Sequence, residues 1–356
     1  MMGPEMGPLG IEIDLGWLCP VACVAAFVLP WLVGAVLMWR FERRARVAER
    51  HPTWGLGHCS PKDPARLRAN KPGHLPNKGV VIMRPMEVGV FLCSTGIYDP
   101  FAAVAKLKGL GIRACQLPPL PPDFLTEDNA LKLKAALAEA GITATTQFVG
   151  FPDESYADMA AVAATVGFLF AEKIPERVAI TKKAIEFGSI IGVPAVAAHI
   201  GFVPEDTSDP AYVRLVDVVR EICDACAAKG MKFALETGQE TAEEMKAFIQ
   251  VMNRPNLGVN FDPANMILYG KDKPVEAVGV LAPWVISCHC KDGEWPVEEG
   301  KLGSERPLGE GQVNIPAFVA KLKEIGYTGP LTIEREDGDD RIGDIMRGKA
   351  LLESLR

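Results

Sequence analysis

Three stretches in the middle of the chain decide how it folds: Lys232-Phe-Ala-Leu-Glu236-Thr-Gly238, Leu257-Gly-Val-Asn-Phe-Asp262-Pro-Ala-Asn265 and Val285-Ile-Ser-Cys-His289-Cys-Lys291-Asp292. Each is a short apolar run closed by a polar side chain. Runs of this kind, without regular polar alternation, read as strands buried on both faces of a parallel sheet. Helical segments separate them. Thr241-x-x-Glu244 is a capping box that starts a helix running to Met252, and Pro274 to Leu281 reads as another.

The same alternation extends in both directions. Upstream, Val88–Cys93, Ile112–Leu117, Ile142–Val149 and Ala195–His199 read as strands. Helices are expected over Asp99–Leu110, Thr126–Ala140, Asp153–Val166 and Pro175–Ile191. Another opens at Asp209-Pro210, with proline in the first turn, where its missing N–H costs nothing. Downstream come a helix over Asn314–Ile325, a strand over Leu331–Glu334 and a last helix over Gly343–Ser354. Eight strand–helix units within residues 85–356 predict an α/β protein of the (β/α)₈ TIM barrel class. A doubly wound open sheet is the rival, but no glycine-rich phosphate loop follows the first strand.

The first 84 residues are of another kind. Residues 1–40 form a hydrophobic N-terminal segment in which 15–39 carry no charge, long enough to cross a hydrocarbon core of about 30 Å. Glu5, Glu12 and Asp14 precede that run, and Arg40, Arg43, Arg44, Arg46 and Arg50 follow it. The asymmetry predicts a single-pass transmembrane helix with the barrel on the cytoplasmic side. The competing reading starts translation near Met83 or Met86 and leaves a purely cytoplasmic barrel. Residues 41–84, rich in Arg, Pro, Gly and His, read as a linker. A net charge of -7 argues against a nucleic-acid partner. The nine cysteines are scattered, and Cys223-x-x-Cys226 lies inside a helical run with no second pair nearby, so they read as reduced thiols.

In a barrel of this class the chemistry sits at the C-terminal ends of the strands. Strands five to eight end in Glu236, Asp262, His289 and Glu334. Singly, each residue is a cap or a salt-bridge partner. Together, four such groups unpaired at one rim would be costly to bury, and a cation removes that cost. Three carboxylates and one imidazole suit one Mn²⁺, Mg²⁺ or Co²⁺, with Zn²⁺ also able to bind. His199, ending strand four, and Gln147, near the end of strand three, are candidates to line the pocket. Lys291 is a candidate to polarise a substrate oxygen, with an ion pair to Asp292 as the alternative.

These residues resemble the xylose isomerase-like barrel superfamily. Within it the chain looks like the sugar phosphate isomerase/epimerase branch, which includes D-tagatose 3-epimerase, hydroxypyruvate isomerase and myo-inosose dehydratase. The resemblance runs from about residue 86 to 356. Its most specific segments are Ala234-Leu-Glu-Thr-Gly, Asn260-Phe-Asp-Pro-Ala-Asn, Cys288-His-Cys-Lys-Asp, Pro307-Leu-Gly-Glu-Gly and Gly329-Pro-Leu-Thr-Ile-Glu. It implies that Glu236, Asp262, His289 and Glu334 bind one divalent cation and that Glu236 and Glu334 form the acid/base pair. It also implies Arg306, ahead of the G-x-G at Gly309, as a substrate-binding residue. Tagatose-type epimerases carry D-x-x-H after strand six, whereas this chain has Asp262-x-x-Asn265; asparagine can hydrogen-bond a hydroxyl but cannot carry a proton at neutral pH.

The expected activity is therefore a divalent-metal-dependent sugar, or sugar phosphate, isomerase/epimerase working through a metal-stabilised enediolate. A lyase or dehydratase acting on a keto-sugar or keto-inositol is the first alternative, and a non-catalytic sugar-binding barrel the second. The apurinic endonucleases of this fold need many rim histidines, and here only His199 and His289 fall in the barrel. The expected partner is a small carbohydrate, with a homo-oligomer left open.

Overall fold

The computed structural model describes residues 83–298 and 300–356. The candidate span at 15–39 and nearly all of the 41–84 linker lie outside them. Among the described residues no helix is long and apolar enough to cross a membrane.

Eight parallel strands close into a barrel: β1 (Val88–Phe91), β2 (Ala114–Leu117), β3 (Thr143–Val149), β4 (Ala195–Ala198), β5 (Lys232–Glu236), β6 (Leu257–Phe261), β7 (Val285–Cys290) and β10 (Leu331–Ile333). Each pairs with its predecessor in this order, and β10 pairs back onto β1, so no edge is left exposed. Two further strands, β8 (Asp292–Glu294) and β9 (Ser304–Arg306), form an antiparallel hairpin beyond β7.

Among the described residues ten α-helices connect and cover the strands: α1 (Pro100–Gly109), α2 (Glu127–Ala140), α3 (Met159–Thr165), α4 (Ile174–Ile191), α5 (Pro210–Ala227), α6 (Ala242–Met252), α7 (Pro263–Leu268), α8 (Pro274–Val280), α9 (Ile315–Glu324) and α10 (Arg341–Leu355). Their starts follow local chemistry. Asp99, Thr126, Asp158, Asp209 and Asp340 each accept a backbone N–H of the first turn, and Thr241 with Glu244 closes the expected capping box.

The main core lies between strands and helices. A smaller cluster joins Phe91 of β1 to Phe148, Ala197 and Ala234 of the neighbouring strands β3, β4 and β5; β1 does not pair with any of these three, yet the Phe91 and Phe148 ring centroids are 4.9 Å apart, so the cluster fills the barrel interior. Phe91 and Phe148 also meet the ring of His289, each with centroids 5.2 Å away. The interior is thus packed directly beneath the C-terminal rim.

Three local expectations are corrected. The first strand ends at Phe91, and Leu92–Thr95 turn into a 3₁₀ helix. The helix expected from Asp153 begins only at Met159, because Asp158 is the residue that caps it; residues 153–157 form a loop. The unexpected α7 starts immediately after β6, since Asp262 Oδ1 accepts the Asn265 N–H at 2.9 Å and Pro263 occupies the first turn.

Candidate metal and substrate site

The strand period of two prepares the site. Alternate residues of a strand point to the same face, so Ser287 shares a face with His289, as Asn260 does with Asp262. At the rim, Glu236, Asp262, His289 and Glu334 each offer one ligand atom within 4.8 Å of all the others. His289 Nδ1 stands 3.0 Å from Glu236 Oε1, 3.4 Å from Asp262 Oδ2 and 2.9 Å from Glu334 Oε2. All four residues are buried.

Three of these converging atoms, Asp262 Oδ2, His289 Nδ1 and Glu334 Oε2, have no hydrogen-bond partner. Buried polar atoms in folded proteins are nearly always satisfied, so three orphans aimed at one point fit a cation. The chemistry of the set, three hard carboxylates and one imidazole, fits a divalent ion.

The charges carry the same signature. Burial opposes a charge on His289, but the carboxylates of Glu334 and Glu236 outweigh it and hold the imidazole pKa well above its ordinary value. Burial also works against ionised Asp262, yet His289 and Lys291 hold its pKa below the usual carboxylate range. Burial pushes Glu334 up to about 8, against the opposing pull of His289 and Lys291. The carboxylates thus recruit a proton onto the imidazole where a cation would otherwise supply the positive charge.

A hydrogen-bonded chain supports these four residues from behind. Gln116 Oε1 lies 2.6 Å from His289 Nε2, so the Nε2–H donates to the amide and leaves the Nδ1 lone pair for the site. Gln116 Nε2 donates to Asn260 Oδ1 at 3.0 Å, which also accepts the Ser287 hydroxyl at 2.5 Å. Asn260 Nδ2 then donates to Glu236 Oε2 at 2.5 Å. Thr237 Oγ1 accepts the Asp262 N–H at 2.8 Å and ties the end of β5 to the end of β6. Gly238 is held at φ +136°, and a Cβ there would collide with Asn265 Cβ, which accounts for glycine in the Glu-Thr-Gly segment. Sequence reasoning did not single out Gln116, Asn260 or Ser287. The available signal was an amide or hydroxyl inside an otherwise apolar strand, two residues before a ligand in the case of Asn260 and Ser287.

Glu236, His289 and Glu334 open into a cavity of about 630 Å³. His199, Asn265 and Lys291 line it beside Glu236, His289 and Glu334. Burial holds the His199 pKa below its usual value, and its Nδ1 has no partner. Lys291 turns away from Asp292, bonding to Glu336 and standing 3.4 Å from Glu334 Oε2. These contacts outweigh the cost of burying the ammonium and raise its pKa.

Two expected substrate residues are placed elsewhere. Arg306 is not in the lining: β8–β9 pairing puts it opposite Asp292, and its guanidinium reaches back to Glu294 at 2.7 Å. Gln147 is also outside the lining, because its amide donates to the carbonyls of Pro118 and Phe148 at 2.9 and 2.7 Å.

Asp292 itself organises the glycine-rich loop that follows the hairpin. Its Oδ1 accepts the N–H groups of Gly293 and Val313, and its Oδ2 those of Gly309 and Gly311, all at 2.9–3.1 Å. On the opposite wall, Arg177 of α4 is buried and clamps the loop after β3. It donates to Asp153 and to the carbonyls of Thr165 and Gly167, and its guanidinium lies 4.7 Å from the Phe151 ring centroid. Glu154 in that loop accepts the N–H groups of Phe151 and Gly167.

Against known proteins, the family described as xylose isomerase-like TIM barrel matches residues 104–355. A crystal structure of a xylose isomerase domain protein from Planctomyces limnophilus is 41% identical, covers 77% of this chain and 97% of that one, and superposes with a TM-score of 0.71. An uncharacterized protein of Methanocaldococcus jannaschii is 26% identical over 185 residues, 48% of this chain and 59% of that protein. An L-ribulose 3-epimerase of a Methylomonas species is 29% identical over 142 residues, 38% of this chain and 46% of that protein. The chain thus spans about half the length of the curated relatives it matches.

Proposed function

The chain belongs to the xylose isomerase-like TIM barrel family, and from that membership and the four-ligand rim we propose that it is a divalent-metal-dependent sugar isomerase or epimerase. The observation that carries the reading is the convergence of three unpartnered buried atoms, on Asp262, His289 and Glu334, with the Glu236 carboxylate. The L-ribulose 3-epimerase of the Methylomonas species, a relative over part of its length, supports the substrate class.

A divalent cation at this site supplies Lewis acidity toward an oxygen that gains negative charge. The chain's own groups do the rest. Glu236 and Glu334 end strands on opposite sides of the Asp262–His289 pair, so a sugar lying over the rim has a carboxylate at each end. One removes the proton beside the carbonyl and the other returns one, work worth roughly 10²–10⁴-fold in rate. Asn260 steadies Glu236 through Oε2 and leaves Oε1 toward the site. Lys291, held by Glu336, presents a cation beside Glu334, where oxygen charge builds up. His199 and Asn265 offer hydrogen bonds to hydroxyls at the wall.

The test is proton exchange. Purified protein supplied with Mn²⁺, Co²⁺ or Mg²⁺ is incubated with ketoses in D₂O, and deuterium incorporation is read by NMR. Glu236→Gln and Glu334→Gln are each expected to slow exchange by at least about 10²-fold, the low end for acid–base catalysis. Exchange at the normal rate in either variant, or full exchange after verified metal removal, overturns the proposal.

A further inference from the structure

The cavity has two unlike halves, and this determines what fits it. Its floor is polar and holds Glu236, His289, Glu334 and Lys291. Its outer wall is apolar: Leu120 and Pro121 from the segment after β2, Phe151 and Tyr156 from the loop after β3, Leu268 at the end of α7 and Leu302 from the β8–β9 connection. Tyr156 is 45% exposed and leans on His199, ring centroids 5.6 Å apart, so its face is open to a ligand and adjoins the polar floor. The Arg177 clamp and the two N–H bonds to Glu154 hold this wall in shape without ligand. At about 630 Å³ the space lies in the range of sites for drug-sized ligands, roughly 300–1,000 Å³, and a lone hexose falls well short of filling it.

The charge balance selects further. Five carboxylates line the cavity, on Glu154, Glu236, Glu305, Glu334 and Glu336. Among the described lining residues Lys291 is the one lysine or arginine, and it is already engaged by Glu336 and Glu334. Arg335, next to the floor, is taken by Glu305 at 2.5 Å and Asp344 at 2.7 Å. Phosphate sites need uncommitted donors, a bidentate arginine or a helix N-terminus. Here, beyond the one cation the rim would hold and its three carboxylates would offset, a phosphate dianion would meet further carboxylates and one committed lysine.

We infer that the substrate is an uncharged glycoside: a non-phosphorylated keto-sugar whose sugar ring lies on the polar floor and whose apolar aglycone lies against the Leu120–Phe151–Tyr156–Leu302 wall. The inference rests on the isomerase/epimerase reading for the sugar and adds the substituent and the missing phosphate.

Binding tests it separately from turnover. Full-length protein with Mg²⁺ is titrated calorimetrically with methyl and phenyl β-D-glucopyranoside, the matching β-D-galactopyranosides, glucose and glucose 6-phosphate; in these non-reacting probes a ring hydroxyl stands in for the carbonyl. A phenyl group that covers about 60 Å² of apolar wall gains about tenfold in affinity, or about 1.4 kcal/mol. At least that preference for phenyl over methyl is expected in one series, with glucose 6-phosphate no tighter than glucose. Tyr156→Ala, checked for fold by circular dichroism, is expected to cut the phenyl-to-methyl ratio by at least about threefold through loss of one ring contact. No phenyl preference in either series, no glycoside binding, or tighter binding of the phosphate ester overturns the inference; an unchanged ratio in Tyr156→Ala overturns the assigned wall. Deuterium exchange into free ketoses without glycoside preference leaves the chemistry standing and removes the aglycone. Glycoside preference without any exchange does the reverse.

Discussion

Gln116 never touches the cation site, yet its replacement is expected to weaken metal binding. Its amide oxygen takes the His289 Nε2–H at 2.6 Å, and both groups are fully buried. In Gln116→Met, a change of similar volume, that N–H loses its acceptor. The free protein has an escape: the imidazole can give up its Nε2 proton, keep the one on Nδ1 and donate it to Glu334 or Glu236, at 2.9 and 3.0 Å. The metal-bound form has none, because Nδ1 is then a ligand and the proton must sit on the stranded Nε2. An unsatisfied buried donor costs about 1–3 kcal/mol, and that cost falls only on the bound state. It corresponds to roughly 5- to 150-fold in affinity, overlapping the 10–100-fold typical of lost outer partners of metal-bound histidines. Asn260 is spared the worst of it, since its Oδ1 keeps the Ser287 hydroxyl. The assay is Mn²⁺ titration against a competing chelator, with thermal unfolding as the fold control. A Kd within about twofold of wild type in a folded variant would show that His289 needs no partner, and the assignment of Nδ1 as ligand would fall.

Two further substitutions test the frame of the site. Glu240 is buried with its Oε1 accepting the Val203 N–H at 2.8 Å, and burial raises its pKa from 4.5 to about 7. A raised carboxyl penalises the fold only when ionised, so the cost is absent below pH 4.5, grows through the interval and is complete above 7, where it reaches about 3 kcal/mol. Glu240→Gln keeps an oxygen for Val203 and is expected to unfold at higher temperature than wild type at pH 8 but not at pH 4.5; a difference independent of pH refutes the burial argument. Asp292→Asn turns one of two accepting oxygens into a donor facing backbone N–H groups, at roughly 1–3 kcal/mol for each N–H left unpaired. Faster hydrogen exchange at Gly309 and Gly311 or at Gly293 and Val313 is expected, and unchanged protection in both pairs would mean that the loop is held by something else.

The barrel and the four polar residues clustered at its rim are legible in the sequence because they follow rules acting over a few residues. Buried parallel strands must be apolar, and a polar residue at the end of such a run has little to do except face the rim. That logic carries Glu236, Asp262, His289 and Glu334, and it reaches His199, Asn265 and Lys291, which line the same cavity. It does not carry to Gln116, whose partners lie 144 and 173 residues away across the barrel interior. Only closure of the sheet makes those distances short. Arg306 is placed outside the cavity lining for a related reason. Its nearness in sequence to Gly309 suggests a loop over the substrate, but hairpin pairing places it opposite Asp292 and gives it Glu294 as its partner.

Asp292 shows most directly how one carboxylate changes the meaning of a motif. Taken as sequence, Gly300, Gly303, Gly309 and Gly311 describe a flexible segment suited to closing over a substrate, and Lys291-Asp292 describes an ion pair. Neighbouring residues in an extended segment point to opposite sides, so Lys291 facing Glu334 and Glu336 obliges Asp292 to face the other way. There it collects four backbone N–H groups, three of them from Gly309, Gly311 and Val313. A side chain at 311 would strike that carboxylate, and Gly309 sits at φ +92°. The glycines at 309 and 311 thus serve close approach and backbone geometry, and the loop is held down by the residue next to the lysine of the site. Any movement that opens it must first break these hydrogen bonds.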